Sequence, residues 1–469
     1  MLETLNTFLR KPDVGPGDDH VLWCDLGGGP DVSLDQFRQE ISALRTKLSA
    51  SDAQRWLLYS DDPHYFLLGF LALLGLKKKI VISASLKPEW LHDLGDAFDA
   101  VLSDQTVVVP DLENGKTAEK SCFDFALPSQ PDDNWQPQFD GAEEIVFFTS
   151  GSTGRPKAIE KNLLALTNEV TTLGTTFHAA ISGGMFVASV SHLHIYGLLF
   201  KLLLPLLIKA PALRQQIDYP EQLLGLAEKF EDYGPKVFIS SPTFLSRLDQ
   251  KLPPVAMKAV FSSGGPLSFA AANASQQYFS VRPIEVYGST ETGGIGYRQQ
   301  AEPTTAWLPF TGVSLTPTDD GIELTSPNMP GHPPYILDDH LEFLPDGKFL
   351  MKGRKDRIVK IAEKRISLTE IEKFIEAHAA VAQCVALPIY ARRDVIACAI
   401  VLSDEGNTSL ASLGQHKLIQ NIKATMQSRF EPVTIPRLWR ILTAIPVNSQ
   451  SKIDHNQLLM EFTNTQELN

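Results

Sequence analysis

The sequence predicts an α/β protein: a large N-terminal domain of mostly parallel sheets with flanking helices, a small antiparallel β subdomain, and then a small α+β domain. Three observations carry this expectation. Through about the first 300 residues, short apolar runs alternate with helical patterns, as βα units of a parallel sheet do. Short strands and turns follow, with Pro345-Asp346-Gly347 as a hairpin signal. From Ser367 onward the order becomes helix, two strands, helix and a polar loop.

The elements follow from local chemistry. Asp61-Asp62-Pro63 places a capping acid and a first-turn proline before the apolar stretch 65–76, which predicts a buried helix. The run 79–83 reads as a short buried strand. Strands are expected at 144–148, 185–190, 236–239, 259–262 and 284–287, with helices at 220–230 and 243–250 between them. The hairpin joins 341–344 to 349–352. In the last domain a helix is expected at 368–379, strands at 383–388 and 395–402, and a helix at 415–429; 403–412 reads as a polar loop.

Composition narrows the function. A chain of 469 residues with 43% apolar content can bury a large core and form more than one domain. Its net charge of −13 opposes nonspecific nucleic-acid binding, which needs a basic footprint. The local exception is a basic stripe of Arg354, Lys355, Arg357, Lys360, Lys364 and Arg365, suited to the phosphates of a cofactor or to an acidic partner protein. The stretch 65–76 ends at Lys77-Lys78-Lys79 and is too short to span a bilayer, and 195–208 is broken by Lys201 and Pro205, so no integral membrane contact is expected. The opening Met1-Leu2-Glu3-Thr4-Leu5 lacks a basic n-region, which points to the cytoplasm. Cys24, Cys122, Cys384 and Cys398 have no metal-ligand spacing and read as reduced core residues.

The most informative segment is Phe147-Phe148-Thr149-Ser150-Gly151-Ser152-Thr153-Gly154-Arg155-Pro156-Lys157. Glycines after an apolar strand let successive N–H groups turn onto an anion, while hydroxyls and a lysine add donors and charge. The segment reads as a nucleotide-phosphate loop, yet Lys157 precedes Ala158, so the spacing is not that of a P-loop ATPase. Four further segments follow in order: Val286-Tyr287-Gly288-Ser289-Thr290-Glu291, Tyr335-Ile336-Leu337-Asp338-Asp339, the run 353–360 beginning Gly353-Arg354-Lys355-Asp356, and the run 446–454 containing Lys452.

In that order and over most of the chain, these segments resemble the motifs of the ATP-dependent adenylate-forming (AMP-binding) superfamily, which includes acyl-CoA synthetases, aryl-CoA ligases and the adenylation domains of peptide synthetases. The resemblance implies two parts, 1–353 and 354–469, the second a mobile lid hinged near Asp356. It implies that Thr149, Ser150, Gly151, Ser152, Thr153, Gly154 and Lys157 cradle the β- and γ-phosphates of ATP. Thr290 would bond the α-phosphate, Glu291 would hold Mg²⁺, and Tyr287 would pack along adenine. Asp339 and Arg354 would fix the ribose, and Lys452 would reach the reacting carboxylate. Ser191-His192-Leu193-His194-Ile195-Tyr196-Gly197 resembles the segment beside the acyl pocket, with His194 at its polar position, and Gly264 and Gly265 resemble the glycine pair along adenine and acyl group.

Departures also stand out. Ala158, Leu337-Asp338 and Ser451 replace family residues, and Glu363 stands where thioester-forming members carry a glycine beside the pantetheine tunnel. The expected activity is activation of an aromatic or fatty carboxylic acid to acyl-AMP, then transfer to the pantetheine thiol of CoA or of an acyl carrier protein. Adenylation with another acceptor and a nucleotide-binding pseudoenzyme are the alternatives. Retention of Lys157, Glu291, Asp339 and Lys452 together argues against the last.

Overall fold

The computed structural model describes residues 2–9, 20–111, 116–117, 120–128, 136–150, 156–249, 251–354, 357–361, 364–389, 395–427, 430, 432, 434–448 and 453–463. The chain divides into two compact units, Met1–Ser314 with Thr325–Tyr335, and Leu315–Leu324 with Ile336–Asn469.

Two sheets organise the first unit. Among the described residues one has six strands, in the order Pro156–Asn162, Glu144–Ser150, Lys79–Ser83, Arg55–Tyr59, Ala100–Ser103, Ser121–Phe123. All neighbours are parallel except the first pair. The other has nine strands, running from Leu308–Pro309 and Gly293–Arg298 through Ile284–Ser289, Ala259–Ser262, Lys236–Ser240, Met185–Ala188 and Ala212–Leu213 to Val21–Cys24 and Val32–Ser33. Its six inner strands are parallel and its edges antiparallel. Strands buried on both faces need continuous apolar runs, and Met185–Ala188, Lys236–Ser240 and Ala259–Ser262 are buried at every position.

The helix Pro63–Gly75 begins as expected, with the Asp62 carboxylate accepting the His64 N–H at 2.9 Å. It is apolar on every side because it is buried on every side. Its Phe66 and Phe70 belong to one core with Trp56, Ile80 and Phe147 of the smaller sheet and Phe186, Ile239 and Phe261 of the larger. Among the described residues, no helix is long and apolar enough to cross a membrane.

The second unit holds a three-stranded sheet of Val381–Ile389, Val395–Leu402 and Leu438–Leu442, the first pair antiparallel and the second parallel. Helices Leu368–Glu376 and Asp404–Met426 cover one face through Ile371, Ile375, Ile422 and Met426. His455–Thr463 covers the other through Leu458 and Phe462. Antiparallel strands Ser314–Thr318, Gly321–Thr325, Asp339–Phe343 and Phe349–Arg354 precede it, the last two joined at the expected hairpin.

Several local expectations are corrected. Residues 403–412 are not a loop but the first half of helix Asp404–Met426: the Ser403 hydroxyl caps it by accepting the Gly406 N–H, two acids follow in the first turn, and Gly414 (φ 76°) kinks it. Its polar residues stay solvated, so no apolar periodicity announces it. The helix expected at 220–230 breaks into Pro220–Leu223 and Leu226–Lys229, because Gly225 turns the chain at φ 77°. That expected at 243–250 is only Pro242–Leu245. Cys24, Cys384 and Cys398 are buried, but Cys122, on an edge strand, is exposed.

Candidate active site

The carboxyl ends of adjacent parallel strands in the nine-stranded sheet carry His194, Gly264, Gly265, Tyr287, Thr290 and Glu291, while the phosphate segment belongs to the six-stranded sheet. Ligand crevices form at such ends because the loops there diverge and leave backbone groups unpaired. Met185–Ala188 leads into Ser189 to His194, Lys236–Ser240 into Ser241, Ala259–Ser262 into Ser263-Gly264-Gly265, and Ile284–Ser289 into Thr290 and Glu291. Hydroxyls tie these ends together, Ser189 Oγ to Ser240 Oγ at 3.0 Å and Ser263 Oγ donating to the Val286 carbonyl at 2.8 Å. Gly264 takes φ 89°, and no described atom lies within 4 Å of where its Cβ would stand. Glycine is there for backbone conformation and leaves an open wall.

Tyr287 is braced by a stack that sequence reasoning did not foresee. Its ring lies 5.7 Å from that of Trp307, and the Arg298 guanidinium stands 4.4 Å from the centroid of the same indole. Arg298 is in turn held by Glu285, Nε to Oε1 at 2.8 Å.

The phosphate segment is flanked by two paired strands. Glu144–Ser150 pairs antiparallel with Pro156–Asn162, placing Lys157 opposite Thr149 and Pro156 opposite Ser150. Gly151, Ser152, Thr153 and Gly154 lie outside the described residues, as does the Ser150 side chain.

Lys157 and Lys161 are four apart on one strand and therefore share a face. Both grip Glu291. Lys157 Nζ donates to Glu291 Oε1 at 2.8 Å, and Lys161 Nζ donates to the Glu291 carbonyl at 2.7 Å and to the Asn328 carbonyl at 3.3 Å. The turn that presents Glu291 is a tight connection between Ile284–Ser289 and Gly293–Arg298, not a helix start. Ser289 and Thr292 bond each other through hydroxyls and backbone, Oγ to Oγ1 at 3.1 Å. At Gly288 a Cβ would come within 2.3 Å of the Gly293 carbonyl, so only glycine lets the two strands close. Half-buried Thr290 sits at the centre of this turn.

The electrostatics follow the geometry. Burial, the largest single influence, would raise the Glu291 carboxyl, but the hydrogen bond and charge of Lys157 together with bonds from its own backbone and Ser289 outweigh it and hold the group below the usual carboxylate range. Lys161, only 7% exposed, is lowered by burial despite the nearby carboxylates of Glu169 and Glu291. Glu169, on helix Leu163–Thr176, is pushed up to about 7 by its burial. It accepts the Gly294 N–H through Oε1 at 2.6 Å. Lys161, Glu169 and Asn328 were missed from sequence. Two signals were available: the even spacing of Lys161 from Lys157, and an acid on the buried face of a helix otherwise lined by Leu163, Leu166, Val170 and Leu173.

The two histidines of the acyl segment separate cleanly. His192 is a core residue: its Nε2 bonds the Ser60 carbonyl at 2.9 Å, its ring lies 4.8 Å from that of Phe66, and burial lowers its pKa to about 3. His194 is half-buried and sits at the entrance of the short turn Ile195–Gly197. Gly197 is there because a Cβ would collide with the Ser191 carbonyl at 2.0 Å.

In the second unit Asp339 and Arg354 are direct cross-strand partners in register. Asp339 is half-buried; the Arg354 side chain, Asp356, Glu363 and Lys452 lie outside the described residues. The segment carrying Lys452 is closed at its base by an antiparallel bridge between Val447 and Ile453 and by the Asp454 N–H donating to the Pro446 carbonyl at 2.9 Å.

Among the described residues no group of three His, Cys, Asp or Glu side chains is assembled for a metal. What the site offers is one ionised carboxylate, Glu291, among the hydroxyls of Ser289, Thr290 and Thr292. Hard oxygen donors with a single carboxylate suit Mg²⁺ that takes its remaining ligands from phosphate and water.

Comparison with known proteins points the same way. The model of a family described as AMP-binding enzyme matches residues 78–353, more than half of the chain. A 4-coumarate–CoA ligase of Rhodobacter capsulatus is 26% identical over 312 residues, covering 66% of this chain and 74% of that protein. One from Halorhodospira halophila is 27% identical over 253 residues, 51% of this chain and 58% of that protein. The crystal structure of ATP-bound MatB from Rhodopseudomonas palustris superposes with a TM-score of 0.79 at 17% identity, over 98% of this chain and 99% of that one.

Proposed function

The chain belongs to the AMP-binding enzyme family, and on that premise we propose that it is an acid–thiol ligase: a carboxylate attacks the α-phosphorus of ATP, pyrophosphate leaves, and a pantetheine thiol then displaces AMP from the acyl-AMP. The observation that supports this most directly is the clasp between two hairpins. Lys157 from the phosphate hairpin and Glu291 from the turn beside it meet at 2.8 Å, so phosphate-binding and metal-binding chemistry occupy one place.

In this reading the hydroxyls and N–H groups of 149–154 cradle the outgoing phosphates, and Lys157 exchanges the Glu291 carboxylate for phosphate oxygens as nucleotide binds. Glu291 would hold Mg²⁺, which when bound neutralises phosphate charge. Thr290 bonds the α-phosphate. Tyr287, stiffened by Trp307, packs along adenine, and Gly264 and Gly265 leave room for adenine and the acyl chain. His194 borders the acid, while His192, fixed in the core, does not take part. Asp339 and Arg354 hold the ribose, Lys452 neutralises the reacting carboxylate, and Asp356 is the hinge on which residues 354–469 move between half-reactions. The acceptor is the thiol of CoA or of an acyl carrier protein. A second reading, adenylation with another acceptor, is favoured by Glu363.

ATP–pyrophosphate exchange across aromatic, short-chain and long-chain acids tests the first half-reaction. Glu291→Gln is expected to lower exchange about 10²-fold or more, the loss typical of one transition-state electrostatic group. Exchange with no acid of any class, or unchanged exchange in Glu291→Gln, would remove the assignment. Supplying CoA and carrier protein separately decides the acceptor.

A further inference from the structure

The turn that carries Glu291 is gripped from beneath by groups to which the proposed chemistry assigns nothing. Lys161 holds the Glu291 carbonyl at 2.7 Å and the Asn328 carbonyl at 3.3 Å. Glu169 takes the Gly294 N–H at 2.6 Å. The Asn328 amide donates to the Gly294 carbonyl at 3.2 Å. The turn is therefore fixed on both shoulders by side chains from three other segments.

The arrangement is costly, which makes it informative. Lys161 is 7% and Glu169 6% exposed, and burying ionisable groups this deeply disfavours their charged forms unless partners compensate. The backbone is cut to admit them. A Cβ on Gly293 would stand 2.6 Å from Glu169 Oε2, and one on Gly294 would stand 3.2 Å from Glu169 Oε1. A stable turn needs neither buried charge, because a hydroxyl or an amide could satisfy the same carbonyls and N–H. A charge adds a field: the Lys161 ammonium bonds the carbonyl of the residue whose carboxylate would take the metal, and Glu169 fixes the other shoulder of the turn through the Gly294 N–H.

We infer that Lys161 and Glu169 are positioning residues for the metal carboxylate, acting through the Glu291 carbonyl and the Gly294 N–H to hold the Glu291 side chain toward the phosphates. The inference rests on the reading of Glu291 as the Mg²⁺ ligand. Partners one step removed from a metal ligand commonly change metal affinity about 10- to 100-fold.

The test measures binding without turnover. Calorimetry with the non-hydrolysable analogue AMP-PNP, in Mg²⁺ and again in EDTA, gives the Mg²⁺-dependent part of the affinity, and thermal unfolding follows the fold. Lys161→Met is expected to weaken the Mg²⁺-dependent part about tenfold, with affinity in EDTA nearly unchanged and with Lys161→Arg recovering most of the loss. Glu169→Gln, isosteric and still able to accept from Gly294, is expected to weaken it about tenfold, at the low end of such effects. A lower melting temperature in Lys161→Met with the Mg²⁺ enhancement intact would reduce the pair to scaffolding and overturn the inference. If Lys161→Met does not fold, an intact enhancement in Glu169→Gln overturns it equally. Glu291→Gln separates the two layers: loss of Mg²⁺ enhancement there, with none in the other variants, sinks only the positioning role. Retained enhancement in Glu291→Gln sinks the metal assignment and the positioning role together.

Discussion

His192 shows how far one side chain can be taken. It lies two residues from His194 in a segment that resembles an acyl-pocket motif, yet it is sealed against Phe66 and bonded to the Ser60 carbonyl. Its pKa, about 3, lies below the ordinary value of 6.5 in the unfolded chain. Between those values the unfolded state binds more protons than the folded one. Stability from this group is therefore present above pH 6.5 and is lost as pH falls toward 3. His192→Gln keeps a donor for Ser60 and does not titrate, so its denaturant-unfolding free energy should fall less steeply from pH 6.5 to 4 than that of the parent. Parallel slopes would show that His192 is not a source of the acid sensitivity. Glu169 has the opposite sign: its carboxyl is raised to about 7, so its contribution weakens as pH climbs from about 4.5 to 7.

At the scale of elements, the paired hairpins carry the residues to which the proposed function assigns phosphate and metal, and the turn at Glu291 depends on glycine. Gly288 faces the Gly293 carbonyl at a distance no Cβ can occupy. Gly288→Ala must spread the strands Ile284–Ser289 and Gly293–Arg298, and a clash with backbone that cannot move aside typically costs about 1–3 kcal/mol. A fall in the unfolding midpoint together with loss of exchange is expected, and a variant of parental stability and activity would show that the strands open freely. The glycine-hydroxyl hairpin and the Tyr287-to-Glu291 turn were legible because each is contiguous: a strand, a turn and its chemistry lie within about a dozen residues. The helix start at Ser403 was missed for the converse reason. Its cap was in plain view, but its outward face carries no apolar pattern.

For the whole molecule the question is how an ATP-dependent acid–thiol ligase divides labour between two units. In the proposed reading the ATP-binding residues of the first unit act with Lys452, which belongs to the second. Lys452→Ala is accordingly expected to retain ATP binding by calorimetry while ATP–pyrophosphate exchange falls about 10²–10³-fold, as removal of a transition-state donor does. Thioester formation from supplied acyl-AMP should survive. Unchanged exchange would remove Lys452 from the first half-reaction.

The order of motifs along the chain determined the family and the α/β class and nominated the reacting groups, because phosphate loops, hairpins and caps are built from neighbours in sequence. Tertiary structure alone decided what holds those groups in place. Lys161 reaches Glu291 across 130 residues and Asn328 across 167, and Glu169 reaches Gly294 across 125. Which histidine is core, and which acid is buried near a lysine, depends on how helices such as Pro63–Gly75 and Leu163–Thr176 pack against the sheets. No local pattern encodes that choice, because burial and charge pairing are properties of the surroundings that the folded chain creates.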